Sequence, residues 1–417
     1  MICNQQKILM VTKGVFSMNL STKVTLASGF FLNFAGFAVF SFLAVYLSYT
    51  LNLSSWQTGT ILTLLTLSSR ILPLFTGGLG DKYGYKKMMG IGLLLRGTGF
   101  AALAFSDSFG LVSLSVICIG AGAACYEPSA LAFISQEPDP QTRKKSFVYL
   151  NFALNGGAVI GPLLGGLLLM KNPLLPFLLS ASVFFALYLI QMLTLPVKRN
   201  AVQAELNSFL RGIPFIMRDK KFLLFCISMI FFWFMFAQLT VALPLHMFAI
   251  SQKEGFVSMV LIVNALTGLL FMIIFKHVYM NVSSIRLLSA GTFIMALSLL
   301  FVSFFPYPLW ILICIMGFTI GETLVLPSSD IAIADFAEER YSGTYYGFSD
   351  LSFAVGATVG NYTGTLLLDI FKQYSFVPWI VFSAVGLLGF FLIRTMFLLP
   401  EKVSAEIESR DGKKVQA

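Results

Sequence analysis

Apolar residues in this chain gather into long unbroken runs parted by short polar breaks, with no strand-like alternation between them. The runs fall at 24–50, 57–77, 88–106, 110–136, 146–170 and 174–196, then at 222–250, 256–275, 285–305, 308–337, 344–370 and 376–399. A helix needs about 20 apolar residues to cross a bilayer, so each run predicts one crossing. The expected fold is an all-α membrane protein of twelve transmembrane helices with short loops.

Sliding the chain against itself adds a repeat. At an offset of 199, Gly122, Pro128, Ser129, Gly157, Ala158, Gly161 and Gly165 fall on Gly321, Pro327, Ser328, Gly356, Ala357, Gly360 and Gly364. Two six-helix repeats are therefore expected, the arrangement in which substrate sites lie near the bilayer midplane between halves that rock. The division reads as an N-terminal tail at 1–23, a six-helix bundle at 24–196, a linker at 197–221, a second bundle at 222–399 and a C-terminal tail at 400–417. The linker mixes Leu206, Phe209, Leu210, Ile213 and Phe215 with Arg211, Arg218, Lys220 and Lys221. It reads either as an amphipathic segment lying on anionic lipid or as a solvated tether.

Composition agrees with a membrane location, since 57% of the 417 residues are hydrophobic and 11% charged, against about 25% charged in soluble domains. The net charge of +9 raises the question of nucleic acid, but the basic residues recur at breaks on one side of the runs. The breaks on the other side hold only Lys171, Lys253 and Lys372. This asymmetry predicts both termini in the cytoplasm, with lipid and not nucleic acid as the partner of the positive charge. Cys3, Cys118, Cys125, Cys226 and Cys314 show no paired spacing, so neither a disulfide framework nor a metal site is expected. The residues before Lys23 lack a signal-peptide cleavage site, and Met18 offers a second start.

Two stretches carry specific patterns. Gly77-Gly78-Leu79-Gly80-Asp81-Lys82-Tyr83-Gly84-Tyr85-Lys86-Lys87 joins the second and third runs. Its glycines permit a tight turn, Asp81 can accept hydrogen bonds or face a helix N-terminus, and the lysines suit lipid headgroups. The fifth run holds Gly157-Ala158-Val159-Ile160-Gly161-Pro162-Leu163-Leu164-Gly165-Gly166. Glycines four apart make a smooth stripe for close helix approach, and Pro162 loosens the helix locally.

The turn resembles the G-x-L-x-D-R-x-G-R-K signature of the major facilitator superfamily, with Lys82 and Tyr85 in place of the two arginines. The stripe is similar to G-x-x-x-G-P-x-x-G-G, a signature of that superfamily's drug:proton antiporter branch. Across most of the chain the resemblance is to one group of multidrug exporters in that branch. It is carried by Leu95-Arg96-Gly97-Thr98-Gly99-Phe100-Ala101, Glu127-Pro128, Met217-Arg218-Asp219-Lys220-Lys221-Phe222 and Gly343-Thr344-Tyr345-Tyr346-Gly347-Phe348-Ser349. Many relatives carry a fourth-helix arginine where this chain has Cys118, so coupling falls to the chain's own charges. The resemblance implies the major facilitator fold, a cytoplasmic gate at Gly77, Asp81, Gly84 and Lys86, and an antiporter motif at Gly157, Gly161, Pro162 and Gly165.

Arg70, Arg96, Glu127, Glu322, Asp330 and Asp350 lie inside apolar runs, where a lone ionised group costs at least ~2.5–3.5 kcal/mol. At 1.5 Å per residue, Glu322 is the deepest acid, roughly 22 Å from the end of its run, with Glu127, Asp330, Arg70 and Arg96 roughly 10–14 Å in. Burial disfavours the charged form of a carboxyl group, which suits Glu127, Glu322 and Asp330 to proton coupling. Arg96 pairs with Glu127 either for packing or for transport, and Asp350 reads as a dipole or gate contact near a helix start. Candidate substrate contacts are Asn33, Arg70, Asn155, Gln238 and Glu322, with Asn361 and the aromatic residues Phe30, Phe31, Phe34, Phe37, Trp233 and Phe236. His246 reads as an interfacial anchor.

These features point to a non-enzymatic, cofactor-free exporter of amphipathic or cationic small molecules, driven by proton antiport in a bacterial inner membrane and acting as a monomer. The alternative is an exporter of an anionic metabolite or metal chelator bound through Arg70; a non-transporting receptor or scaffold ranks below both. No G-x-x-x-x-G-K-[ST] loop occurs, so ATP is not the expected energy source.

Overall fold

The computed structural model describes residues 19–196, 208–371, 373 and 376–396. Met18, Cys3, Lys372, the rest of the first tail up to 18, the C-terminal tail and the linker between 197 and 207 lie outside the described residues. Every regular element within them is helical.

The first half runs α1 (Leu20–Val45, continued as a π turn at Tyr46–Thr50), α2 (Ser55–Arg70), α3 (Pro73–Tyr83), α4 (Tyr85–Ala104), α5 (Phe109–Ser135), α6 (Pro140–Leu169) and α7 (Leu175–Thr194). A short α8 (Ser208–Arg218) precedes α9 (Lys220–Thr240), α10 (Ala242–Ser251), α11 (Glu254–Ile274) and α12 (Lys276–Asn281). The chain ends in α13 (Ser284–Val302), α14 (Pro308–Phe336), α15 (Ser342–Ile370) and α16 (Val377–Thr395).

Local chemistry explains several boundaries. Ser54 and Gln57 form a capping box at the start of α2. The Asp139 carboxylate accepts from the backbone N–H groups of Gln141 and Thr142 to start α6, and Asp219 accepts from Phe222 to start α9. Gly84 turns the chain between α3 and α4 at φ +93°, a conformation glycine adopts without strain. Two predicted single helices are divided. The 57–77 run breaks at Ile71–Leu72, where Pro73 has no N–H to offer the preceding turn, and the 222–250 run breaks at Val241.

Among the described residues, nine helical spans are long and apolar enough to cross a membrane, two of them joining α2 to α3 and α9 to α10. A tenth apolar stretch, Met259–Ile274, is shorter. Packing repeats between the halves: α1 lies on α6 and α7, α4 on α5 and α7, and α2 on α5; correspondingly α9 lies on α15 and α16, α13 on α14 and α16, and α11 on α14. Glycine stripes bring the first pair of each half together. A Cβ on Gly157, Gly161 or Gly165 would meet the carbonyl oxygens of Phe30, Phe34 and Ala38 in turn, and one on Gly356 or Gly360 those of Ile230 and Phe234. The larger residues excluded there would force the backbones apart, and with them the dispersion contacts that hold helices together in lipid.

The linker helix also differs from a free surface segment. Ile216 is fully buried, the Phe215 ring lies 5.2 Å from that of Tyr341, and α8 rests on α3, α9 and α15.

Candidate functional site

The two halves meet most closely where α3 faces the start of α15. Tyr341, at the head of α15, brings no side-chain cap, which leaves backbone donors without an intrahelical acceptor. Asp81 of the other half supplies it. Its carboxylate accepts from the N–H of Gly343 at 2.7 Å, the N–H of Thr344 at 2.8 Å, the Thr344 hydroxyl, and the Tyr85 hydroxyl at 2.7 Å. The group is 4% exposed, and a carboxylate at a helix N-terminus gains both charge-assisted hydrogen bonds and the helix dipole. Small residues make the approach feasible, because a Cβ on Gly77 would collide with the Gly343 carbonyl oxygen and one on Gly347 with that of Pro73.

More cross-half contacts gather at the same end. Arg143 of α6 pairs with Asp335 of α14 at 3.2 Å. Deeper in, Asn151 of α6 donates to the Asp330 carboxylate at 2.8 Å. Within the second half, Tyr346 donates to the Asp330 backbone oxygen at 2.9 Å and Tyr345 to Asp219 at 3.1 Å. The cross-half contacts of Asp81, Arg143 and Asn151 close this end.

Above the closure lies a cavity between α5, α9, α14 and α15, lined by Leu131, Phe225, Met229, Trp233, Asp330, Tyr346 and Asp350 among others. Beside it Glu127 stands between two arginines, 3.6 Å from Arg96 and 3.9 Å from Arg70. Arg96 is buried and its guanidinium lies 4.8 Å from the Phe184 ring centre; that of Arg70 lies 4.0 Å from the Phe353 ring centre. Glu322 sits at the middle of α14, buried, accepting from Asn264 at 2.7 Å; Asn264 also donates to Thr319 at 2.9 Å.

The structure thus brings Arg70, Arg96, Glu127, Asp330 and Asp350 to one region, with Glu322 at the midpoint of the same α14. It places other sequence candidates elsewhere. Gln238 is fully buried and donates to the carbonyl oxygens of Phe234 and Gly360, tying α9 to α15. Asn33 donates to Leu154 O and Asn155 to Asn151 O. Lys86 donates to Leu195 O, within its own half, so it does not span the closure. Asp350 lies on the third turn of α15 and lines the cavity, beyond the first turn where a helix dipole acts. His246 is buried edge-on against Trp379 at 4.9 Å. Phe31 and Phe37 are exposed. Sequence reading passed over Asn151, Asn264, Arg143 and Asp335; a lone amide inside an apolar run was the available signal for Asn264.

The architecture and its few embedded charges define a membrane transporter of a known class. The chain belongs to the Major Facilitator Superfamily, whose sequence pattern matches residues 26–318 and 224–416. Multidrug resistance protein MdtH of Klebsiella pneumoniae (strain 342) is 27% identical over 382 residues, spanning 90% of this chain and 93% of that protein. MdtH of Escherichia coli (strain K12 / DH10B) is 27% identical over 369 residues, spanning 87% and 90%. MdtH-type exporters are the group that the Arg96, Glu127-Pro128 and Gly343–Ser349 segments resemble.

Among solved structures, the E. coli fucose:proton symporter FucP aligns with TM-score 0.76 at 15% identity, covering 90% of this chain and 98% of that one. The human organic anion transporter MFSD10 aligns with TM-score 0.73 at 15% identity, covering 90% and 100%. These two likenesses show the shared fold. The chain is a multi-pass membrane transporter and not an enzyme.

Proposed function

We propose that the chain exports amphipathic or cationic small molecules, in the manner of a multidrug transporter, by proton antiport with alternating access. In this reading the protein is a monomer with twelve crossings, the nine apolar spans plus α4, α11 and α15, in two bundles at 24–196 and 222–399. It sits in a bacterial inner membrane with both termini cytoplasmic, which puts the Asp81 end inside. Gly77, Asp81 and Gly84 then form the inner gate, Gly157, Gly161, Pro162 and Gly165 keep α6 against α1, and Glu127, Asp330 and Glu322 carry protons or meet the substrate's charge.

The observation that carries the reading is the line of carboxyl groups between the halves: Glu127, Asp330 and Asp350 around the cavity and Glu322 deeper along α14. Four acids against two arginines leave carboxyl groups for which a cation and protons compete, and such competition is what antiport requires. An anionic substrate would need a free positive charge. Arg70, its best candidate, already faces Glu127 and Phe353.

The test is uptake of radiolabelled tetraphenylphosphonium into everted vesicles. Accumulation that requires an inward-acid gradient and collapses with a protonophore is expected. Accumulation independent of that gradient rules out proton antiport, and none under any gradient rules out cation export.

A further inference from the structure

Arg70 ends α2 with its guanidinium lying on Phe353 at 4.0 Å. The Phe353 ring packs edge-on against Trp233 at 4.6 Å, and Trp233 lines the cavity together with Asp330 and Asp350. Arg70 therefore already uses the kind of surroundings an organic cation seeks, a π face with carboxyl groups nearby. Its ion pair with Glu127 is long at 3.9 Å, while Arg96 stands nearer at 3.6 Å. Asp350 has no hydrogen-bond or ion-pair partner among the described residues, although it is within electrostatic range of Arg70, Glu127 and Asp330.

We propose that Arg70 is a tethered cation filling, in this state, a subsite for organic cations formed by Phe353, Trp233 and Asp350, and that substrate displaces it towards Glu127. The inference rests on the proposed cation export and adds how the two cargoes exclude each other at a distance. Substrate entering the subsite repels Arg70, which moves onto Glu127 and there competes with a proton for the carboxylate. In the opposite direction, a proton arriving at Glu127 weakens its hold on Arg70. The guanidinium returns to Phe353 and ejects the substrate. Proton and substrate need never touch the same carboxyl group.

The experiment measures equilibrium binding of radiolabelled tetraphenylphosphonium to the full chain in nanodiscs at alkaline pH. If Arg70 fills the subsite about nine-tenths of the time, Arg70→Gln tightens binding about tenfold. Arg70→Lys, which keeps the charge and the subsite intact but loses the flat guanidinium stack on Phe353, tightens it about threefold by emptying the subsite in part. Unchanged or weaker binding by Arg70→Gln overturns the inference while leaving cation export standing. Tighter binding by Arg70→Gln with none of the effect in Arg70→Lys also overturns it, assigning the gain to loss of a distant charge. Absence of binding by wild type and both variants removes the export reading itself.

Discussion

The turn between α3 and α4 and the turn between α12 and α13 hold matching places in the two repeats, yet only the first caps a helix of the other half. At the offset of 199, Gly84 falls on Ser283, Asp81 on Met280 and Gly77 on Lys276. Asp81 fastens the start of α15. In the second turn, Tyr279 donates to Thr323 O inside its own half, and Lys276 lies 5.3 Å from the ring centre of Tyr149 on α6. The helices facing these turns differ to match. The start of α6 is capped by its own Asp139, whose carboxyl is held below the usual carboxylate range by hydrogen bonds from Thr142. The start of α15 has no side-chain cap of its own. A helix that caps itself loses no acceptor when its neighbour leaves; in the proposed alternating access α15 would lose one whenever the halves part, which suits the first turn to a latch and the second to a contact surface.

The sharpest way to break this contrast is Asp81→Ala. It strips acceptors from buried donors, and each hydrogen bond to a charged group is worth about 1.5–3 kcal/mol, so two of them shift a closed-to-open equilibrium by at least roughly a hundredfold. Spin labels at positions 82 and 339 should move apart in electron resonance distance measurements; an unchanged distribution would remove the latch. Next comes Gly77→Ala, which drives a Cβ into the Gly343 carbonyl oxygen at about 1–3 kcal/mol. The same labels should show a mixture of closed and open populations, and a purely closed one would mean the backbones yield without parting.

Smaller effects are expected on the other side. Asp139→Ala should lower thermal stability in detergent by about 1 kcal/mol through the lost cap, with the label distance unaltered; a changed distance would make the two helix starts equivalent after all. Lys276→Ala should have the least effect, since a partly exposed cation–π contact contributes about 0.5–1 kcal/mol. Transport near the wild-type rate is expected, and a loss as deep as that of Asp81→Ala would place a second latch there.

Features written in consecutive residues were legible in the sequence. The Gly84 turn and the four-residue glycine spacing of α6 needed only local geometry, and both close approaches are present at Gly77 and at Gly157, Gly161 and Gly165. Polar residues inside apolar runs were harder, because an amide facing a cavity and one facing a neighbouring carbonyl look alike in one dimension. Gln238 satisfies its donors on Phe234 and Gly360, whereas Asn264 reaches an acid. The partner of Asp81 lies more than half the chain away and is a backbone, which carries no side-chain signature. For Asp350 the sequence left a dipole contact and a gate contact open; its place on the third turn, facing the cavity, removes the first.

One asymmetry of the backbone bears on how force travels. Pro73 falls on Met272 at the offset of 199, and α11 continues unbroken through Met272, while the first-half crossing is divided at Ile71–Leu72. One crossing is a rod with a knee, and its counterpart is a stiff strut. The knee lacks a hydrogen bond that would resist bending, so a pull on the Asp81 segment is taken up there and reaches Arg70, just above it, as a rotation more than as a push. Load on α11 passes from end to end. The two halves therefore differ in compliance at matching depth, the Asp81 segment bending at its knee and α11 carrying load as one rod as far as Ile274.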